Sequence, residues 1–151
     1  MHKPTTPSLA EQLATPGSRV RPLDRVAEEV MTAGVVALPV TAPLEGAARA
    51  MAAHHVHGVL AVSSEGRPCG WVTSDQVMHH LGDSHLVDWA LDAIGEKFLT
   101  VRPSTPVREV MATLARSGVS RVAVQELHDT MPQGVITDLD IAKVMDKGAD
   151  P

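Results

Sequence analysis

The sequence predicts an α+β fold made of two copies of one β-α-β-β-α unit. Shifting the chain by 63 residues places Pro43 on Pro106, and one extra residue in a later loop makes the shift 64 and places Gly70 on Gly134. Self-similarity at a fixed spacing indicates a duplicated architecture before any residue is given a role. A unit of about 50 residues is not expected to bury enough apolar surface alone, so we expect the two copies to pack together about a pseudo-two-fold axis.

The first copy contains two helical patterns and, between them, two strand patterns. Pro43 stands where the first turn of a helix tolerates proline. Two short β-rich runs, 59–62 and 70–73, follow this helix, and a closing helix is predicted over 74–81. The residues that share one face of the first helix, at i, i+3, i+4 and i+7 spacing, are Leu44, Ala47, Ala48, Met51 and His55.

The second copy repeats these patterns. Its first helix follows Pro106 and ends at Gly118, which is a better helix terminator than His55 at the matching place in the first copy. The remaining predicted elements are strands over 122–125 and 134–137, a closing helix over 138–145 and a helical connector over 84–94.

The composition is that of a globular protein and excludes several functions. Hydrophobic residues make up 44% and charged residues 21% of the chain, and the net charge of −5 argues against a nucleic-acid partner. Trp71, Trp89 and Phe98 are the only aromatic residues, so few side chains could stack on bases. The single cysteine, Cys69, can form no internal disulfide and no CxxC zinc pair, which favours a reducing, cytoplasmic location.

No membrane partner is expected. The most apolar stretch, residues 33–40, has about eight residues, whereas a membrane span needs about 20. The N-terminus has no charged lead followed by an apolar run, so no secretory signal is predicted. Residues 1–24 contain four prolines among Thr and Ser and are predicted to form a flexible arm.

Taken together, these elements resemble a tandem pair of cystathionine-β-synthase (CBS) domains, the Bateman module. In the first copy the resemblance rests on Val30-Met31-Thr32, the Pro43 helix and Gly70-Trp71-Val72-Thr73, and in the second on residues 99–107, 119–124 and 134–140. The resemblance implies a disc-shaped homodimer. It also implies repeats over 25–82 and 95–147, a connector over 83–94 and a tail over 148–151.

The resemblance further implies an adenosine nucleotide site in the cleft between the repeats, centred on Thr137 and Asp140. This Thr-x-x-Asp motif follows a strand and opens a helix, where free backbone N–H groups can receive an anion. The Asp140 carboxylate is an acceptor with two oxygens and suits the two hydroxyls of a ribose. The same pattern also fits a helix capping box without any ligand, and this alternative stays open.

Further site residues follow from the same resemblance. Arg121 is expected to hold a phosphate with its forked guanidinium, the alternative being a solvent-facing strand residue. Gln76 stands where the second copy has Asp140 and offers no acceptor-only carboxylate, so a second site around Leu99, Thr73 and Gln76 is expected to be degenerate. The complete set implied for the nucleotide site is Met31, Gly34, Val36, Val56, His57, Ser120, Arg121, Val135, Thr137, Asp138 and Asp140.

Metal and catalytic sites are not expected. His54, His55 and His57 could ligate zinc or nickel, but no nearby cysteine completes a ligand set. Cys69 has no identifiable base beside it, and no other catalytic constellation is recognised. We therefore expect neither enzymatic activity nor a required cofactor.

The sequence thus predicts a regulatory or sensor module. It would bind AMP, ADP, ATP or S-adenosylmethionine between the repeats and transmit occupancy to an effector protein, which is reciprocal coupling between two sites. Two alternatives remain, namely a structural interaction module without ligand and a metal-dependent stress sensor using His54, His55 and His57.

Overall fold

The computed structural model describes residues 21–82 and 90–149. The first repeat consists of α1 (Ala27–Val30), β1 (Thr32–Ala33), β2 (Ala37–Pro39), α2 (Leu44–His54), β3 (Gly58–Val62), β4 (Pro68–Thr73) and α3 (Ser74–Gly82). The second consists of β5 (Thr100–Val101), α4 (Val107–Ser117), β6 (Arg121–Val124), β7 (Gly134–Thr137) and α5 (Asp138–Ala149). Single 3₁₀ turns, Pro22–Asp24 and Ala90–Ala93, precede the two repeats. The predicted α+β class with two repeats is confirmed.

Each repeat builds a three-stranded sheet with the same topology. In the first repeat β2 pairs parallel to β3, and β3 pairs antiparallel to β4. In the second, β5 pairs parallel to β6, and β6 pairs antiparallel to β7. A parallel pair needs a crossover connection, which α2 supplies in the first repeat and α4 in the second.

The segment before each repeat's first parallel strand pairs with the sheet of the other repeat. Thr32 in β1 pairs with Val135 in β7. In the reciprocal contact Glu96 forms a bridge with Trp71, whose N–H donates to the Glu96 carbonyl at 3.0 Å. Because Trp71 and Val135 are equivalent in the repeat alignment, their partners Glu96 and Thr32 hold equivalent places in the two crossed pairings. These crossed pairings join the repeats into one unit, as the small size of each repeat led us to expect.

Helices α2 and α4 end where the sequence predicts and begin one residue after the prolines that were expected in their first turns. Pro43 and Pro106 are the N-cap residues of α2 and α4. Both helices end on a residue in the left-handed region, His55 with φ 54° and Gly118 with φ 67°. Gly118 adopts this conformation without steric cost, whereas His55 has a Cβ that disfavours it.

Three clusters of buried side chains form the core. One fills the second repeat and includes Ala27 and Val30 from α1, so the first residues of the fold pack on the far repeat. A second fills the first repeat and includes Ala90 from the 3₁₀ turn that precedes the second repeat. The third, formed by Leu60, Trp71 and Ala123, connects the two sheets.

Several predicted boundaries differ from the observed elements. Pro22, in the predicted arm, is buried, and Asp24 forms an ion pair with Arg108 of α4, so these two residues belong to the fold. Helix α5 continues to Ala149, into the predicted tail. Of the predicted connector, 90–93 form a 3₁₀ turn, and 83–89 lie outside the described residues, as do 1–20 and 150–151. Among the described helices, none has the length and apolar character needed to cross a membrane.

Candidate functional site

A cleft of about 1010 Å³ opens between the two repeats. Its walls come from β1 and the residues after it, the turn between α2 and β3, and the first residues of α3, α5 and β6. Ten of the eleven residues predicted for the nucleotide site line this cleft, namely Gly34, Val36, Val56, His57, Ser120, Arg121, Val135, Thr137, Asp138 and Asp140.

Met31 is the predicted site residue that does not line the cleft. Its side chain packs against the core of the second repeat. A Cβ on Gly134 would come within 2.5 Å of the Met31 sulfur, which shows how closely this side chain covers the start of β7. Met31 ends α1 with its side chain against this core, and the neighbouring Thr32 lines the cleft instead.

The first turn of α5 forms a reciprocal capping box. The Thr137 N–H donates to Asp140 Oδ2 at 2.9 Å, and the Asp140 N–H donates to Thr137 Oγ1 at 3.4 Å. Thr137 Oγ1 also donates to Oδ2 at 3.2 Å. The second carboxylate oxygen, Oδ1, accepts from Thr32 Oγ1 of the other repeat at 3.0 Å. The capping role considered for this motif is therefore present, and Asp140 additionally links the two repeats.

The matching turn of α3 forms only half of this arrangement. The Gln76 N–H donates to Thr73 Oγ1 at 3.4 Å. The Gln76 side chain lies instead against Gly95, where a Cβ would come within 2.5 Å of Gln76 Cδ. Of the three residues predicted for the degenerate second site, Thr73 lines the cleft, while Leu99 packs against the core of the second repeat.

Arg121 is a buried cation that lines the cleft. It is 8% exposed, so the alternative of a solvent-facing strand residue is wrong. Its guanidinium carbon lies 5.7 Å from the centroid of the Trp71 ring, within the range of a cation–π interaction. The guanidinium also lies directly over Gly58, where any Cβ would collide with it. A glycine at the start of β3 therefore leaves the space that Arg121 occupies.

Burial and the neighbouring carboxylates act on the pKa of Arg121 in opposite directions. Burial lowers the pKa of the guanidinium, and the carboxylates of Glu96, Asp138 and Asp140 act in the opposite direction. Within the described residues, its one hydrogen bond runs from Nε to Ser120 Oγ at 3.4 Å. The terminal nitrogens thus have no protein acceptor there, although a guanidinium carries five N–H donors.

Sequence reasoning did not include Glu96, whose carboxylate also lines the cleft. Glu96 Oε1 accepts from the Ser120 N–H at 2.9 Å, and Oε2 accepts from Ser120 Oγ at 2.8 Å. The 63-residue shift places Thr32 on Gly95, one residue before Glu96, so the alignment alone would not have indicated Glu96. The equivalence of Glu96 and Thr32 follows from their pairing partners, Trp71 and Val135. The other cleft-lining residues that were not predicted for the nucleotide site include Thr32, Trp71, Asp75 and Lys143.

The histidines of the first repeat form two groups, of which only one lines the cleft. His54, His55 and His57 all line it, and His79 and His80 of α3 stack edge to face with their ring centroids 5.3 Å apart. Across residues 21–82 and 90–149, no group of three His, Cys, Asp or Glu side chains is placed to hold a metal ion.

Comparison with known families and structures identifies the repeat. The CBS domain model matches the chain twice, over residues 26–83 and 92–147. No curated protein sequence matches the chain significantly.

Many solved structures share the fold. The CBS domain pair of protein MJ0100, in complex with 5′-methylthioadenosine and S-adenosyl-L-methionine, has a TM-score of 0.72 at 16% identity, covering 82% of this chain and 97% of that one. CBS domain protein PAE2072 from Pyrobaculum aerophilum, complexed with AMP, has a TM-score of 0.69 at 19% identity, covering 82% and 99%. Hypoxic Response Protein I with two coordinated zinc ions has a TM-score of 0.63 at 22% identity, covering 79% and 98%. At these identities the likeness concerns the fold.

The double family match spans nearly all the described residues. The chain therefore belongs to the CBS domain family, with two CBS domains in tandem.

Proposed function

We propose that this protein is a regulatory module that binds an adenosine nucleotide in the inter-repeat cleft. The observation that carries the proposal is Arg121, a buried cation whose terminal nitrogens face the cleft without a protein acceptor among the described residues. Charges taken out of water are normally paired, because an unpaired buried charge loses its hydration energy. A phosphate would supply the missing acceptors in the bidentate geometry that a guanidinium favours.

Asp140 provides the complementary group for a ribose. Oδ2 already accepts two hydrogen bonds from Thr137, whereas Oδ1 accepts one from Thr32 and keeps a free lone pair. A ribose hydroxyl can therefore donate to Oδ1 while the capping box stays intact. If the Thr32 hydroxyl rotates away, Oδ1 can also accept a hydrogen bond from a second ribose hydroxyl.

The apolar part of the cleft suits a purine base. Val36, Val56 and Val135 are half-buried and line it, so each has surface that a planar ring could cover. Small-molecule sites commonly combine such apolar walls with a few polar groups that fix orientation. In this proposal the valines contact adenine, Asp140 binds the ribose and Arg121 binds the phosphate.

Two structures with the same fold hold adenosine compounds, which supports this ligand class. PAE2072 is complexed with AMP, and the MJ0100 domain pair with 5′-methylthioadenosine and S-adenosyl-L-methionine. Ligand binding would change the affinity for an effector protein by the coupling described above. Zinc in Hypoxic Response Protein I keeps the metal-sensor alternative worth testing in the same assay.

We propose a homodimer as the working assembly. Met78 of α3 is 71% exposed and Leu139 of α5 is 56% exposed, so the closing helices of both repeats carry apolar surface. Exposed apolar patches on such helices are typical of interaction surfaces. Light scattering at micromolar concentration should give about twice the 16.0 kDa chain mass. A mass near that of one chain would contradict the dimer.

Calorimetry with AMP, ATP, S-adenosylmethionine, adenosine and zinc tests the ligand class. The Arg121→Met variant should lose about tenfold or more in AMP affinity and much less in adenosine affinity, because a hydrogen bond to a charged group contributes about 1.5–3 kcal/mol. Arg116→Met is the matched control, since Arg116 is exposed in the last turn of α4, away from the cleft.

Three outcomes would contradict the proposal. The first is an absence of binding by every adenosine compound, which would favour the structural interaction module. The second is AMP binding that Arg121→Met leaves unchanged. The third is stabilisation by zinc alone, which would favour the metal sensor.

A further inference from the structure

The Glu96 carboxylate occupies hydrogen-bond donors in the cleft that an incoming anion would also use. Its two oxygens accept separately from the Ser120 N–H and from Ser120 Oγ, at 2.9 and 2.8 Å. Both bonds involve an ionised acceptor, so they are among the stronger ones available to a side chain. Ser120 was predicted as a nucleotide contact, but in this structure both of its donors are engaged.

Glu96 also acts on Arg121, which carries the proposed phosphate contact. Arg121 Nε donates to the same Ser120 Oγ that donates to Glu96. Glu96 is the largest of the acidic influences that raise the pKa of Arg121 against the lowering caused by burial. The negative charge of Glu96 therefore already offsets part of the positive charge of Arg121, as a bound phosphate would.

The equivalent position in the other repeat carries no charge. Thr32 pairs with β7 where Glu96 pairs with β4, and its hydroxyl donates to Asp140. A carboxylate is thus not required by the crossed pairing itself, which uses the backbone. The charge at Glu96 is a separate feature of the side that faces Ser120 and Arg121.

We propose that Glu96 is a built-in anion that competes with the ligand's phosphate for Ser120 and Arg121 and thereby weakens the affinity of the cleft for phosphate-bearing ligands. The proposal rests on the proposed function and deepens it. A phosphate must either displace the Glu96 side chain from Ser120 or bind Arg121 beside it against charge repulsion. Either route lowers the affinity for AMP, and neither affects adenosine.

Displacing the Glu96 side chain would also change how the segment between the repeats is held. The Glu96 backbone accepts from Trp71 of the first repeat, while its side chain binds Ser120 of the second. Releasing the side chain removes its hydrogen bonds to Ser120 of the second repeat and leaves the backbone hydrogen bonds of Gly95 and Glu96 to Trp71. Nucleotide occupancy is thereby coupled to the contact between the repeats.

The test compares the wild-type protein with Glu96→Gln, which keeps the side-chain size and removes the charge. Calorimetry should show AMP binding tighter by about tenfold or more, because the repulsion between a unit charge and a phosphate a few ångströms away is worth at least about one decade of affinity even when water screens much of it. Adenosine affinity should be unchanged. Glu65→Gln in the exposed turn between β3 and β4 removes the same charge away from the cleft and should leave AMP affinity unchanged.

A second variant, Glu96→Thr, installs the residue found at the equivalent position of the first repeat and should shift AMP affinity in the same direction. It keeps the test decisive if Glu96→Gln fails to fold. AMP binding that is equal or weaker in a folded Glu96 variant, or an equal tightening of AMP and adenosine, would overturn the proposal.

Inorganic phosphate separates this proposal from the proposed function. If no variant binds AMP, a larger rise in melting temperature with phosphate for Glu96→Gln than for wild type supports the competing anion while the nucleotide proposal fails. If, in that case, phosphate raises the melting temperature of wild type and Glu96→Gln equally, both the nucleotide proposal and the competing anion are overturned. If AMP binds wild type and variant equally, the nucleotide proposal stands and the role of Glu96 is rejected.

Discussion

The two helix starts that face the cleft have the same backbone and different chemistry. Thr137 and Asp140 form a reciprocal capping box, and Asp140 keeps a lone pair directed to the cleft. Thr73 accepts one bond from the Gln76 N–H, and the Gln76 side chain covers Gly95 instead. The duplication has thus kept the fold symmetric while a few side chains make one half of the cleft suitable for a ligand.

A second difference lies in how much space remains beside each helix start. Val135 is half-buried in β7, whereas the equivalent Trp71 in β4 is 1% exposed. The Trp71 ring lies 6.4 Å from that of Phe98 and beneath Arg121. Bulky rings therefore take up space on the Gln76 side that is open on the Asp140 side.

The largest effect expected from this difference concerns Trp71. Trp71→Ala should lower the free energy of unfolding by about 3–5 kcal/mol, because it removes a fully buried aromatic side chain between the sheets. Val135→Ala should cost clearly less. Trp71→Phe should be tolerated better than Ala, since the indole N–H has no hydrogen-bond partner among the described residues to lose. Urea denaturation measures all three, and equal losses for Trp71→Ala and Val135→Ala would contradict the comparison.

A smaller effect should be the same in both repeats. A Cβ on Gly70 would come within 2.9 Å of the Glu96 carbonyl, and one on Gly134 within 2.7 Å of the Thr32 carbonyl. Gly70→Ala and Gly134→Ala should each lower the free energy of unfolding by about 1–3 kcal/mol, because the crossing backbone must shift.

Gly46→Ala in α2 is the control for these glycines. A Cβ there would make only an ordinary contact, 3.9 Å from Pro43 Cδ, and the change should leave stability equal or higher. Thermal denaturation compares the three variants. Tolerance of alanine at either Gly70 or Gly134 would show that the crossed segment is not fixed there.

The smallest effect concerns the ends of α2 and α4. His55→Gly should raise the free energy of unfolding by about 0.5–1 kcal/mol, because glycine adopts the left-handed conformation without steric cost. Gly118→Ala at the equivalent position should lower it by a similar amount. Opposite shifts in the urea midpoint support the symmetry of the two helix ends, and shifts of the same sign would contradict it.

The repeated elements and most of the cleft could be predicted from the sequence. Proline positions, apolar periodicity and the shift between copies are local or short-range signals, and they located α2 and α4. The resemblance to CBS domains, rather than these patterns, indicated ten of the cleft residues. The crossed pairing could not be predicted in the same way. β1 contains two residues and Glu96 forms a single bridge, so neither produces a strand pattern.

The burial of Arg121 could not be predicted from the sequence, although the residue itself was expected in the nucleotide site. All four residues of β6 are buried, so the alternation that separates buried from exposed strand positions is missing. The burial of its guanidinium depends on the absence of a side chain at Gly58 and on the ring of Trp71, both in the other repeat. Contacts between residues distant in sequence determine whether such a strand position is buried, and a local sequence pattern contains no information about them.

Calorimetry of AMP binding to Asp140→Asn and Gln76→Ala tests most directly whether the two halves of the cleft differ as described. Asp140→Asn should reduce affinity about tenfold or more, because it removes the charge of a ribose acceptor worth about 1.5–3 kcal/mol. Gln76→Ala should leave affinity nearly unchanged, and circular dichroism should show both variants folded. Wild-type affinity in a folded Asp140→Asn protein would mean that Asp140 only caps α5, and would contradict the account.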